Sequence, residues 1–497
     1  MSLLSLGSLA VPARGLEPAS SDPTAFVSLG SVALFNAAGA SPYAYELWRS
    51  DGTEAGTWQV THLCPEPYCT SEPRPFALTS RHYFFHSRDE GLHLNLWATD
   101  GTPAGTFQLT APPAYAWDAS ELRVSVGDVL YFYRTEGDSG GIWRSDGTPA
   151  GTWQVTDHGG GPMVAFQGSI YFFGGSALWK TDGTPAGTVR VAPLPARYIP
   201  IELHVAGNRL VFLVYTPSDR HQLWSSDGTA EGTLELGGIL RRPGLAWFVD
   251  FSVQDGRLYF VVDDGRNGQE LWVTDGTQQN TRALTRLRRK EAFYSDAQQD
   301  YLYLPRFAAG SFFVFAVDDG PHGIEPWVTD GTVKGTHLLK DLCPGPCGSA
   351  TRVWNRTLPG LAFMTVTRGS RGNELWVTDG TESGTRLVRD ICPGSCGSHP
   401  YEPFVVKNRL LFVANDGVDG YELWATDGTE ANTTRISDFE PTLPWGFPGY
   451  EDFPGTVAGG QLLFRAPGPE GYELWRTDGT PAGTRLVSDI AKGDGSP

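Results

Sequence analysis

Basic residues are scarce in this chain: 38 Lys and Arg stand against 56 Asp and Glu, for a net charge of −18. That balance excludes a nucleic-acid backbone as partner, because phosphate binding needs a basic face. Long apolar runs are missing too. None approaches the roughly 18 to 20 residues of a membrane-spanning helix. The stretch from Leu3 to Val11 is apolar but short, with no basic residue ahead of it. It reads as a poor export leader, the remnant of one, or a start added ahead of a mature N-terminus. No segment carries the sustained 3.6-residue periodicity of a long amphipathic helix. Nucleophile elbows, Walker loops and His-Glu-x-x-His helices are absent, so no local motif announces catalysis. An active site assembled from loops of many repeats would leave no such motif.

Cysteine is sparse as well. All six fall in close pairs: Cys64 with Cys69, Cys343 with Cys347, and Cys392 with Cys396. Even numbers in short loops predict three local disulfides, hence an oxidising compartment and an exported or cell-surface protein. Zinc is the competing reading, but it needs two pairs to converge on one tetrahedral site, and these pairs sit in separate repeats.

Turn formers, by contrast, abound, with 61 Gly and 36 Pro; hydrophobic residues make up 40% and charged residues 19%. This is the composition of a globular chain with many short strands. One pattern recurs ten times: an apolar residue, Trp, two residues, Asp-Gly-Thr, two residues, then Gly-Thr or Asn-Thr. The Trp falls at Trp48, Trp97, Trp143, Trp179, Trp224, Trp272, Trp327, Trp376, Trp424 and Trp475, at spacings of 36 to 55 residues. Such a period belongs to propellers and solenoids. Within the ninth unit, short β-rich runs at 404–406, 409–414, 421–426 and 433–437 alternate with turn residues, which makes four hairpin-linked strands. A four-stranded up-and-down sheet of this size is one propeller blade. The predicted fold is therefore all-β, a propeller of ten four-stranded antiparallel blades. A single ten-bladed ring comes first, and two five-bladed rings splitting near Leu240 come second. The domain reading is a tail at 1–20, the propeller at 21–490 and a tail at 491–497.

The Asp-Gly-Thr segment reads as a structural hairpin. Its first Gly suits a positive φ. Its second Gly position holds Gly in eight copies and Asn in two, Asn280 and Asn432. Asn is the residue that best tolerates the left-handed region, so this position too is expected at positive φ. The Asp accepts backbone N–H bonds across the loop. Ten equivalent acids read as scaffolding. The ten Trp, one per repeat, read as wedges between neighbouring blades. A ring of sugar-stacking platforms is the alternative.

At Glu374-Leu375-Trp376-Val377-Thr378-Asp379-Gly380-Thr381 the chain resembles the bacterial ELWxxDGT repeat family. The resemblance spans nearly the whole chain. It implies a repeat fold in large exported proteins and no defined activity. The tails Asp341-Leu342-Cys343-Pro344-Gly345 and Asp390-Ile391-Cys392-Pro393-Gly394 match the family unit closely. Gly141, Ala177 and Gln222 depart from it where Glu is typical, so the Glu is not expected to be essential. Ser50-Asp51-Gly52 and Ser145-Asp146-Gly147 distantly resemble Asp-box hairpins, though at a different spacing.

Three other features invite a functional reading. Acidic loops precede the Trp strand at Asp263, Asp264 and Glu270, at Asp318, Asp319 and Glu325, and at Asp416, Asp419 and Glu422. Asp plus a later Glu across a Gly-rich turn supplies oxygen ligands of the kind calcium takes, although a plain hairpin also wants Asp-Gly there. His82, His86 and His93 form the one His cluster, but an extended strand separates the first two by about 13 Å at roughly 3.3 Å per residue. The run Arg286-Leu287-Arg288-Arg289-Lys290 reads as a solvated loop, or as a contact for an anionic partner. The expected function is an exported or cell-surface binding scaffold for a protein or glycan ligand. An enzyme with an axial site, acting for example on polysaccharide, and a calcium-stabilised structural module are the alternatives.

Overall fold

A computed structural model describes residues 20–39, 45–63, 71–88, 94–110, 122–136, 139–218, 220–237, 247–263, 268–289, 292–293, 309–345, 347–349, 351–367, 372–439, 453–468, 471–488 and 490. Every regular element among them is a strand. Ten antiparallel sheets follow one another along the chain, each built from consecutive strands. Nine show four strands, and the seventh shows three among the described residues. The blades run over 24–59, 74–108, 123–156, 160–193, 199–235, 247–283, 313–338, 352–387, 401–435 and 455–488. They form a single ten-bladed β-propeller.

The second strand of each blade is largely buried. In blade 9 this is Arg409–Asn415, whose five central residues are all buried. Its Phe412 pairs with Trp424 on the third strand. The same cross-strand pair recurs as Phe35 with Trp48, Phe85 with Trp97, Phe212 with Trp224 and Phe464 with Trp475. Only blade 8 substitutes Met364 for the Phe. A sulfur-containing side chain of similar bulk keeps the contact.

Each motif Trp packs into the seam with the preceding blade. Trp97 lies against Leu34 and Leu47 of blade 1. Trp272 lies against Val211 and Leu223 of blade 5, and Trp475 against Leu411 and Leu423 of blade 9. Trp48 joins Leu463 and Leu474 of blade 10. These contacts decide the ring size. Two five-bladed rings would seat blade 5 against blade 1 and blade 10 against blade 6. Instead blade 5 packs on blade 6 and blade 10 on blade 1.

The hairpin after each Trp strand is one repeated hydrogen-bond circuit. In blade 1 the Thr53 N–H and hydroxyl both donate to Asp51 Oδ1, at 2.9 and 2.6 Å. Gly56 N–H donates to Thr53 Oγ1, and the Thr57 hydroxyl donates to the Thr53 carbonyl. These bonds hold Asp51, Asp182, Asp227, Asp330, Asp379 and Asp478 below the usual carboxylate pKa, with the Thr hydroxyl as the leading cause.

The two hairpin glycines turn out to serve different needs. The first lies at φ between +82° and +93° in all ten copies. The second is not at positive φ, contrary to the sequence expectation. A Cβ there would fall 2.0 Å from Asp379 Oδ1 at Gly384, and the other Gly copies are equally tight. Asn280 and Asn432 solve the clash chemically. Their Nδ2 donates to Oδ2 of Asp275 and Asp427 at 2.7 Å. The Asn is there for its amide, not for its tolerance of left-handed backbone.

Candidate binding face

Antiparallel order places two kinds of connection at opposite ends of every blade. The first-to-second-strand turns and the Asp-Gly-Thr hairpins share one face of the ring, and both are short and nearly uniform. The second-to-third-strand loops and the connections to the next blade share the other. Among the connections whose residues are all described, length ranges from three residues (157–159) to 13 (388–400). Length variation and unrepeated chemistry thus gather on one face.

In the blades that carry it, a Glu two residues before the Trp anchors this face. Glu325 accepts N–H bonds from Leu342 and Cys343, at 3.0 and 2.9 Å. Glu270 accepts from Leu287 and Arg288 N–H and from the Thr285 hydroxyl. Glu374 holds Ser398 through its N–H and hydroxyl. Glu422 accepts from Phe439 N–H and from the Ser437 hydroxyl. Burial raises the pKa of Glu325 and Glu374, and raises Glu422 to about 7. Blades 3 and 4, where Gly141 and Ala177 replace the Glu, have the short connections 157–159 and 194–198. Connection length accounts for these two blades but not for blades 2 and 5, where Asn95 and Gln222 stand at the same position ahead of the longer spans 109–122 and 236–246.

The acids considered for calcium are therefore separated by the structure. Glu270, Glu325 and Glu422 turn inward to their tails. In blade 9, Asp416 Oδ1 accepts the N–H groups of Val418 and Asp419, and Arg435 ion-pairs with Asp416, Asp419 and Asp438. In blade 7, Asp318 accepts from Gly320 N–H and pairs with Arg289 at 2.8 Å. Asp319 accepts from His322 N–H at 2.9 Å, and its Oδ2 lies 2.7 Å from His322 Nδ1. That bond raises the His322 pKa. Asp263 closes its strand opposite Gln269. Asp264 lies outside the described residues. Among the described residues, no three His, Cys, Asp or Glu side chains converge as a metal site would require.

The basic run is not a free loop. Leu287 packs into the seam of blades 6 and 7, and Arg289 is spent on Asp318. Lys290 lies outside the described residues. His82 sits against Gly147 of the next blade, whereas His86 tilts over Phe76 at 4.6 Å. His93 is outside the described residues. Cys343–Cys347 and Cys392–Cys396 are disulfides, with Cα separations of 5.9 and 5.3 Å. Both lie in tails on the variable face, the second beneath Gly417 of the blade 9 loop. Cys64 and Cys69 fall outside the described residues.

The outer wall shows an asymmetry that sequence reading missed. The fourth-strand residue paired with the position after each motif Trp is Trp58, Phe107, Trp153, Val189 and Leu234 in blades 1 to 5. In blades 6 to 10 it is Arg282, His337, Arg386, Thr434 and Arg485. At this one position blades 1 to 5 carry apolar residues and blades 6 to 10 polar or basic ones, while the facing third-strand residue is basic in blades 1, 3 and 4 and Val in blades 6 to 8. Aligning the ten units on their Trp would have exposed this.

Neither the family models nor the curated proteins contain a match to this chain. Among solved structures it overlaps a puromycin hydrolase at 14% identity and TM-score 0.33, covering 85% of this chain and 61% of that one. It overlaps a structure from a study of two prolyl endopeptidases at 10% identity and TM-score 0.34, covering 70% and 54%. A Mycobacterium tuberculosis puromycin-hydrolysing peptidase gives 12% and 0.31, covering 80% and 57%. The chain spans less than two thirds of the length of each. Likeness this distant carries no argument about activity.

Proposed function

We propose that this chain is an exported or cell-surface binding scaffold, a member of the ELWxxDGT repeat family, that engages a protein or glycan ligand through its variable face. The observation that carries this reading is the division of labour between the two faces. One is ten copies of a closed hydrogen-bond circuit. The other gathers the unequal loops, the disulfide-tied tails and the unrepeated Arg289–Asp318 and Asp319–His322 pairs. Repeated positions specify a scaffold, and unrepeated ones on a rigid support specify a ligand. The disulfides support an oxidising compartment.

The test is a thermal-stabilisation screen of the full chain against purified polysaccharides and surface proteins. A hit is expected to be lost on Asp319→Ala with Arg289→Ala, and retained on Thr184→Val in the opposite face. A screen without hits, or a hit sensitive only to Thr184→Val, would overturn the proposal.

A further inference from the structure

Nine of the ten seams are crossed by the chain itself. The tenth, between blades 10 and 1, is not, and no strand is exchanged across it, because both blades are built from consecutive strands. What crosses it instead is the segment from Ser20 to Asp22.

This segment repeats a device found in seams where the chain is continuous. Ser71, Ser349 and Ser398 precede a blade's first strand, and all three are wholly buried, as is Ser21. Each reaches back to the third strand of the preceding blade. Ser71 Oγ donates to the Tyr45 carbonyl at 2.9 Å. Ser349 N–H donates to the Ile324 carbonyl at 2.7 Å. Ser398 Oγ donates to Glu374 Oε2. Each also presents its own carbonyl to the second strand of the following blade, accepting from Arg88, Thr367 and Asn415 N–H at 3.1, 2.9 and 2.8 Å.

Ser21 does both across the open seam. Its Oγ donates to Glu473 Oε2 at 2.7 Å, and its carbonyl accepts from Ala38 N–H at 2.9 Å. Its neighbours add to the hold. Tyr472 N–H donates to Ser20 Oγ at 2.9 Å, and Asp22 N–H donates to the Tyr472 carbonyl. The Asp22 carboxylate joins both blades, pairing with Arg465 of blade 10 at 2.9 Å and accepting from the Tyr45 hydroxyl of blade 1 at 3.0 Å. The residue after the Ser is left-handed in three seams, at Asp22, Glu72 and His399. Matching burial, bonds and backbone identify Ser20–Asp22 as the counterpart of an inter-blade connection, separated from blade 10 by more than 430 positions of chain.

We propose that Ser20–Asp22 is a non-covalent latch that closes the propeller, and that the seam between blades 10 and 1 is the one at which the ring opens. A buried side chain that bridges two elements matters most where no backbone ties them together. The proposal does not depend on what the variable face binds.

The experiment is amide hydrogen exchange on the full chain carrying Ser21→Ala with Asp22→Ala, beside a matched Ser398→Ala. The latch variant is expected to raise exchange about tenfold or more in strands Val32–Ala38 and Gly471–Thr477 and to leave blades 3 to 8 unchanged. Ser398→Ala is expected to raise exchange in its own seam far less, because the backbone still joins blades 8 and 9. Unchanged exchange in the two latch strands, an increase spread evenly round the ring, or an equal effect of Ser398→Ala would overturn the proposal. If the double variant does not fold, Tyr45→Phe removes one latch bond alone. A rise confined to the same two strands then supports the latch, and no rise overturns it.

Discussion

At the scale of single residues, the second hairpin Gly is the most exacting position in the repeat. A methyl group added at Gly384 would sit where Asp379 Oδ1 already lies. Gly384→Ala must displace that carboxylate and weaken its bonds to the Thr381 N–H and hydroxyl. We expect a loss of about 1–3 kcal/mol, read as a lower melting temperature. Gly384→Asn should cost markedly less, because Asn432 already makes the compensating amide bond in the next blade. Equal destabilisation by Ala and Asn would refute this account. The sequence displayed the Gly/Asn alternation, and its physical cause was misread. Backbone tolerance and side-chain chemistry leave the same trace in composition, and only the carboxylate's position separates them.

At the scale of elements, the recurring unit is a sheet plus the tail it holds. Glu422 accepts two bonds from the tail after blade 9, and burial lifts its pKa to about 7. A folded-state pKa above the ordinary value of 4.5 means that the folded protein binds this proton more tightly than the unfolded chain does. The contribution of Glu422 is therefore most favourable below about pH 4.5 and declines as pH rises towards 7. Glu422→Gln should remove that decline, so that denaturant midpoints of variant and parent, compared between pH 4.5 and 7, differ in slope. Parallel pH profiles would count against it. The four strands of each blade were legible in advance because apolar alternation and turn residues are local signals. The Phe-to-Trp pairing was written in the chain too, but it is a cross-strand relation, which reading along one strand does not reveal. The Glu-to-tail bond spans 15 to 18 positions or more, and its meaning emerged only when both ends were placed.

At the scale of the whole molecule, stability rests on ten seams, each filled by an indole from one blade and aliphatic side chains from its neighbour. The loop acids are engaged with N–H groups, Arg289, His322 and Arg435. These bonds and ion pairs hold the described loop acids in place, and excess chelator is expected to leave the melting temperature unchanged. A drop of several degrees that calcium restores would instead support the calcium-stabilised alternative. Seen whole, the molecule is uniform on one face and irregular on the other.

The amino-acid sequence by itself determined the unit: four short strands, a tight hairpin and one Trp, ten times over, because turn chemistry and strand periodicity act within a few residues. Tertiary structure decided how the units close. Whether ten blades make one ring or two depends on which blade's Leu and Val receive Trp48 and Trp272, and on a serine that meets its partner from the far end of the chain. The closing contacts of Trp48 and Ser21 join residues more than 400 positions apart. No local pattern encodes them, and only the accumulated angle between packed sheets brings them together.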